Sequence, residues 1–294
     1  MPRPGQGESL VAWTLFAVVT LAVLVTYGRL DTTALYNVSN EGLAGGLGRA
    51  LVLLNFPIAL VAIALALLAV PALPRSAWLV VGPAIALSAV VAIAVDQDDL
   101  DARWINVVPG LGVALALALT AAAAHRAGIS FAPRRSGDPV RLVAAAIVLV
   151  LSLPWIAAEL GFHFPGDVFL GEELYAEEAG PAFAAVHLGH HHGGDGALLV
   201  VTGLLLSRVR MPPGGLQVVA TGYLGLMLAY GAVNFAQDLW HEQVVKRGWT
   251  DVDIPSALLP GARPVLLVIV VLAVSATLVM LREDDGSAVV PGHA

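Results

Sequence analysis

The chain has no cysteine and a single lysine, Lys246, and only 13% of its 294 residues are charged. Without cysteine there is no disulfide, no thiolate nucleophile and no sulfur ligand, so any metal has to be held by histidine and carboxylate. One lysine and a formal net charge of −7 leave no basic stripe to neutralise phosphates, which excludes nucleic acid as a partner. The charged fraction is about half the ~25% usual in a soluble domain, while 58% of the residues are hydrophobic. Alternating apolar and polar strands are also missing, which excludes a membrane β-barrel and leaves helices as the way to satisfy the backbone in lipid.

What is present is a series of long apolar runs. Several reach the ~20 residues a helix needs to cross a ~30 Å hydrocarbon layer. They predict an all-α polytopic transmembrane helical bundle, one integral membrane domain over 1–294 with about eight spans, near 10–27, 46–70, 77–95, 104–124, 139–160, 186–207, 215–240 and 264–281. The first run ends in Tyr27-Gly28-Arg29 without a small-x-small cleavage site, so it reads as a retained span. Small residues in Gly42-Leu43-Ala44-Gly45-Gly46-Leu47-Gly48 recur at helical spacing and predict a close packing face rather than a phosphate cradle. Arginine collects after spans two, four and six (Arg75; Arg126, Arg134, Arg135, Arg141; Arg208, Arg210), and the loops after spans three and five are acidic. The positive-inside rule then predicts a cell-membrane protein with both termini cytoplasmic and the acidic loops outside. The Ala, Val, Leu, Gly and Arg bias resembles that of a GC-rich bacterial genome. Asp96, Asp98, Asp99 and Asp101 lack the glycine turn and later glutamate of a calcium loop and read as a solvated connection.

Chemistry concentrates at one stretch, Phe183-Ala184-Ala185-Val186-His187-Leu188-Gly189-His190-His191-His192-Gly193. If it is helical, His187, His190 and His191 stand at i, i+3 and i+4 on one face, with His192 off it. Six of the eight histidines fall on the predicted outer side. Spans six and seven form a hairpin around Met211-Pro212-Pro213-Gly214, and equal counts from the turn bring His187 and Asp238 to one level, each ~31 Å along its helix. Asn234, Asp238, His241 and Glu242 repeat as one polar stripe on span seven, and Glu159 and His163 are i and i+4 at the end of span five. The predicted metal ligands are therefore His163, His187, His190, His191, His241 and Glu242. Glu159 and Asp238 are candidates for a catalytic base or for orienting a ligating imidazole. This donor set suits zinc, iron, manganese or copper, as one or two ions.

Two short resemblances touch the same stretch. His187-Leu188-Gly189-His190-His191 is similar to the HxxHH box of membrane fatty-acid desaturases and hydroxylases, which implies di-iron chemistry. Phe183-Ala184-Ala185-Val186-His187 resembles the FxxxH element of CAAX-type membrane endopeptidases, with Glu172-Glu173 similar to their paired glutamates. Only one histidine box is present and no arginine completes the glutamate element, so the chain is assigned to neither family.

These features predict a multi-pass membrane protein with a His/carboxylate metal site at the extracytoplasmic face, a metal-dependent hydrolase or oxidoreductase acting on a lipid-borne substrate. Its partners are then the bilayer and a lipid-like substrate. The alternatives are a non-enzymatic scaffold or metal-capture subunit, and a permease using Asn55, Asn106, Tyr223 and Asn234. The spans are poor in titratable groups at mid-depth, which weighs against ion-coupled transport.

Overall fold

The computed structural model describes residues 5–96, 99–176, 182–189, 191–258 and 263–286, with side chains to 283. It is an all-α polytopic helical bundle. In chain order the helices are α1 (Gly7–Arg29), α2 (Gly42–Leu53), α3 (Ala59–Ala69), α4 (Trp78–Ala89), α5 (Val91–Ala94), α6 (Val107–Ala127), α7 (Asp138–Leu151), α8 (Leu153–Glu159), α9 (His192–Leu206), α10 (Gly215–Trp240) and α11 (Pro264–Gly286). The strands β1 (Leu174–Tyr175) and β2 (Phe183–Ala184) pair antiparallel between α8 and α9.

Among the described residues six helical spans are long and apolar enough to cross a membrane alone. A seventh is the pair α7 and α8, bent by 60° at Ser152, and the short apolar α9 supplies an eighth element. The span of α2 and α3, Gly42–Ala72, is the central post: 83% of its apolar window is buried, against 39% or less in the other five long spans. Leucine, valine and alanine point outward from α7, α11 and much of α1, as expected of helices solvated by lipid.

The central span is interrupted at Leu54–Ile58, where Phe56 leaves helical geometry ahead of Pro57. A break in lipid needs partners for the freed backbone groups. Asn55 donates to Leu51 O at 2.9 Å and to Asn106 O at 2.8 Å, and Asn106 donates back to Asn55 Oδ1 at 2.9 Å. The two asparagines expected to line a permeation path thus bind each other. Tyr223 is likewise committed, donating to Leu60 O at 2.7 Å. The nearby cavity of about 390 Å³ is bounded by Phe56, Tyr223, Tyr230, Leu266 and Ile269 and is mainly apolar.

Glycine sets two close approaches. A Cβ on Gly46 would lie 2.4 Å from Leu24 O, so α2 and α1 touch backbone to backbone, as the small-residue run predicts. On α9 and α10 a Cβ at Gly196 would lie 2.7 Å from Gly231 O, and this contact brings the N-terminus of α9 against the last turns of α10.

The two ends of the bundle differ. Where α1 starts and α11 finishes, Arg208 pairs with Glu8 at 3.6 Å and Asp138 at 3.4 Å, and Arg141 pairs with Glu283 at 2.5 Å. The opposite end carries His187, His191 and His241 with the carboxylates of Asp238 and Glu242. There Asp101 accepts from the backbone and hydroxyl of Ser39 and from Asn40, so one member of the expected solvated acidic run ties two loops together; Asp98 lies outside the described residues.

Overpacking the α9/α10 contact is expected to cost about 1–3 kcal/mol. Gly196→Val should lower the melting temperature of purified protein, whereas Gly82→Val, with nothing within 4 Å, should leave it nearly unchanged. Equal effects of the two would contradict this packing.

Candidate metal centre

The expected helix over 186–207 starts later. Phe183 and Ala184 are a strand paired with Tyr175 and Leu174, Leu188 bridges to Leu35, and α9 begins only at His192. Gly189 is the physical reason. Its φ of +86° is unsuited to a right-handed helix, and a Cβ there would lie 2.3 Å from the Tyr27 ring. His187 and His191 therefore share no helix face, and His190 lies outside the described residues.

At 15 residues α9 is about 22 Å long, short of a full crossing. Its N-terminus consequently opens inside the bundle, where its first N–H groups need acceptors. Asp238 supplies one, its Oδ2 accepting from Gly193 N at 2.6 Å. A carboxylate is well placed there because it also meets the positive end of the helix dipole. One turn further along α10, Glu242 stands at i+4 from Asp238 on the same face, in a widened final turn over His241–Val245.

Glu242 is buried, with one oxygen hydrogen-bonded and the other facing two nitrogens. Oε2 accepts from Trp155 Nε1 of α8 at 2.5 Å, and Oε1 lies 4.0 Å from His191 Nδ1 and 3.9 Å from Lys246 Nζ. His191, only 3% exposed, is packed over the Trp155 ring. Its ring hydrogen-bonds the His187 backbone, and its Nε2 has no partner among the described residues. The neutral imidazole is the form that ligates metals.

His191, Asp238 and Glu242 each offer a ligand atom within 4.8 Å of the others, so this group could hold a metal ion. Metal–oxygen and metal–nitrogen bonds are about 2.0–2.2 Å, which sets neighbouring ligand atoms roughly 3–3.5 Å apart. A bound ion would therefore draw the three inward by about 1 Å. The charges leave room for it, since two carboxylates face a single ammonium. That ammonium is the only lysine of the chain. Lys246 donates to Ala185 O at 2.7 Å and lies 5.6 Å and 5.4 Å from the ring centroids of Tyr175 and Phe183, so it pins the small hairpin beside the carboxylates.

The other predicted residues sit elsewhere. His187 stacks on Tyr36, 4.3 Å between centroids, at the edge of the site. His241 faces Asp253, 3.4 Å away, and the edge of Tyr175. Glu159 ends α8, and the turn that follows, with Gly161 at φ +80°, takes His163 off its face and toward the Gly171 backbone. The Glu159 side chain belongs instead to a second buried group. There the Arg49 guanidinium lies 5.7 Å over the Tyr27 ring and within electrostatic reach of Glu159 and Asp195. Arg49 is thus an internal cation rather than one reaching to the interface. Trp155 and Asp195 were not among the predicted site residues; the acid just inside an apolar run was the available signal for Asp195, and none marked Trp155.

No family model, no curated protein and no solved structure matches this chain. What the centre can do therefore has to be argued from its own residues.

Burial, and then the Lys246 charge, lower the pKa of His187 from 6.5 to about 4. The unfolded chain takes up that proton near 6.5 and the folded chain does not. Stability is therefore fully present above about pH 6.5 and lost progressively as pH falls toward 4. His187→Phe, which keeps a ring against Tyr36 without a titrating nitrogen, should flatten the fall in melting temperature over this window. An unchanged slope would contradict the assignment.

Proposed function

We propose that this chain carries a functional transition-metal centre at His191, Asp238 and Glu242, and that it is a metal-dependent hydrolase or oxidoreductase acting on a lipid-borne substrate. The observation that supports the reading is the ligand set itself: three donors inside an apolar bundle, His191 and Glu242 buried and Asp238 half-buried, with protein groups orienting at least two of them. Three protein ligands leave a coordination position for water or substrate, the pattern of catalytic rather than closed structural sites. Neutral imidazole with two carboxylates suits zinc, iron or manganese, and copper less well. In such a site the ion acts as a Lewis acid or activates bound water. Trp155 and the Gly193 N–H orient the carboxylates, and ligand orientation of this kind tunes a metal's affinity. The arginine-rich opposite end supports an orientation with the centre toward the extracytoplasmic side, at a depth that suits an amphiphilic substrate.

A second reading, a non-enzymatic scaffold that holds no ion at this site, draws on Lys246. Its ammonium, 3.9 Å from Glu242 Oε1, can neutralise that carboxylate without any ion.

Metal analysis after incubation with zinc, iron(II) or manganese and removal of excess is expected to find about one ion per wild-type chain. His191→Ala and Glu242→Gln should retain almost none. Trp155→Phe should bind about 10–100-fold more weakly, and His163→Ala should bind as wild type. Equal metal content in wild type and His191→Ala would remove these ligands from the account. Lys246→Met separates the readings: under the catalytic reading it binds metal at least as tightly as wild type, whereas a metal-free ion pair predicts destabilisation and no binding in either protein.

A further inference from the structure

At the end of the bundle opposite the metal centre, a cavity of about 500 Å³ lies between the loop before α7, the turn before α10 and the end of α11. Four arginines line it, Arg134, Arg135, Arg210 and Arg282, together with Val279 and Glu283. Among the described residues its one carboxylate is already committed, because Glu283 Oε2 lies 2.5 Å from Arg141 Nη2. Arg135 is held in place, its Nη1 donating to Ser207 O at 3.3 Å. Among the described residues Arg134, Arg210 and Arg282 enter no ion pair. The three guanidinium groups of Arg134, Arg210 and Arg282 around one cavity repel one another unless an anion sits among them. Their planar forks match the paired oxygens of a phosphate.

We propose that this cavity binds a phosphate-bearing anion, the phosphodiester headgroup of an anionic membrane lipid. The wall identifies the source. Val279 is 57% exposed and stands one turn before Arg282, continuing the outward apolar face of α11 with Val271 at 55% and Leu278 at 50%. A headgroup in the cavity lays its acyl chains along that face, as in basic pockets beside membrane helices. A free phosphate would use the same arginines and none of this apolar wall. The inference is independent of the metal centre.

The test is lipid binding by the full chain in detergent, read by native mass spectrometry and by melting temperature, with phosphatidylglycerol, phosphatidylcholine and inorganic phosphate as separate probes. Phosphatidylglycerol should be retained and raise the melting temperature, and phosphatidylcholine should do neither. Arg134→Gln, Arg210→Gln and Arg282→Gln should each weaken phosphatidylglycerol binding roughly five-fold, and the triple variant about a hundred-fold. Arg75→Gln, an exposed arginine outside the cavity, should bind as wild type. The triple variant in phosphatidylcholine should melt as wild type does there, which separates lost binding from lost folding. Stabilisation by inorganic phosphate that equals that by phosphatidylglycerol and disappears in the triple variant would overturn the lipid assignment and leave an anion site. Phosphatidylglycerol binding retained in the triple variant, or absent from wild type, would overturn the site itself.

Discussion

A helix that begins inside an apolar bundle has N–H groups with no water to receive them, and α9 is such a helix. Its length leaves its N-terminus below the end of the bundle, and non-helical backbone at that depth has to be satisfied by protein. The Asp238 carboxylate meets Gly193 there. Much of the centre follows from that contact. It sets the register between α9 and α10, places His191 just before the helix, and turns the next residue on the same α10 face, Glu242, toward His191 and Trp155. The Gly196 and Gly231 contact allows the two helices to come close enough for it.

The structural and the chemical readings of these residues are not exclusive. Asp238 caps a helix and is also a ligand candidate, and Glu242 pairs with Lys246 while facing His191 at 4.0 Å. A bound cation would strengthen the arrangement by balancing the second carboxylate. The bundle carries charge of opposite character at its two ends, with arginines around Ser207 and Glu283 and carboxylates around α8 and the end of α10. In this reading one end is built to meet anionic headgroups and the other to hold a cation.

The fold was legible because apolar run length is a direct consequence of bilayer thickness, and each of the eight expected spans has a helical counterpart. The hairpin count put Asp238 level with His187, and Asp238 instead meets Gly193, six residues further on, because the chain before α9 is not helical. What periodicity could not show was where α9 starts. Gly189 against Tyr27 and the pairing of Phe183 with Tyr175 are tertiary facts, and they convert an expected helical face into a strand and a loop. The same limit hid Trp155, which looks like ordinary lipid-facing bulk in the sequence. The burial of Arg49 over Tyr27 likewise depends on the packing of α1, α2, α8 and α9.

The central claim is that one imidazole and two carboxylates share an ion inside the membrane bundle. X-ray absorption at the K-edge of zinc-loaded protein tests it most directly. The account predicts a shell of one nitrogen from a single imidazole plus oxygens at about 2.0–2.2 Å, with the imidazole signature lost in His191→Gln. A shell with several imidazoles, or one unchanged by that substitution, would place the metal on other histidines and contradict the assignment.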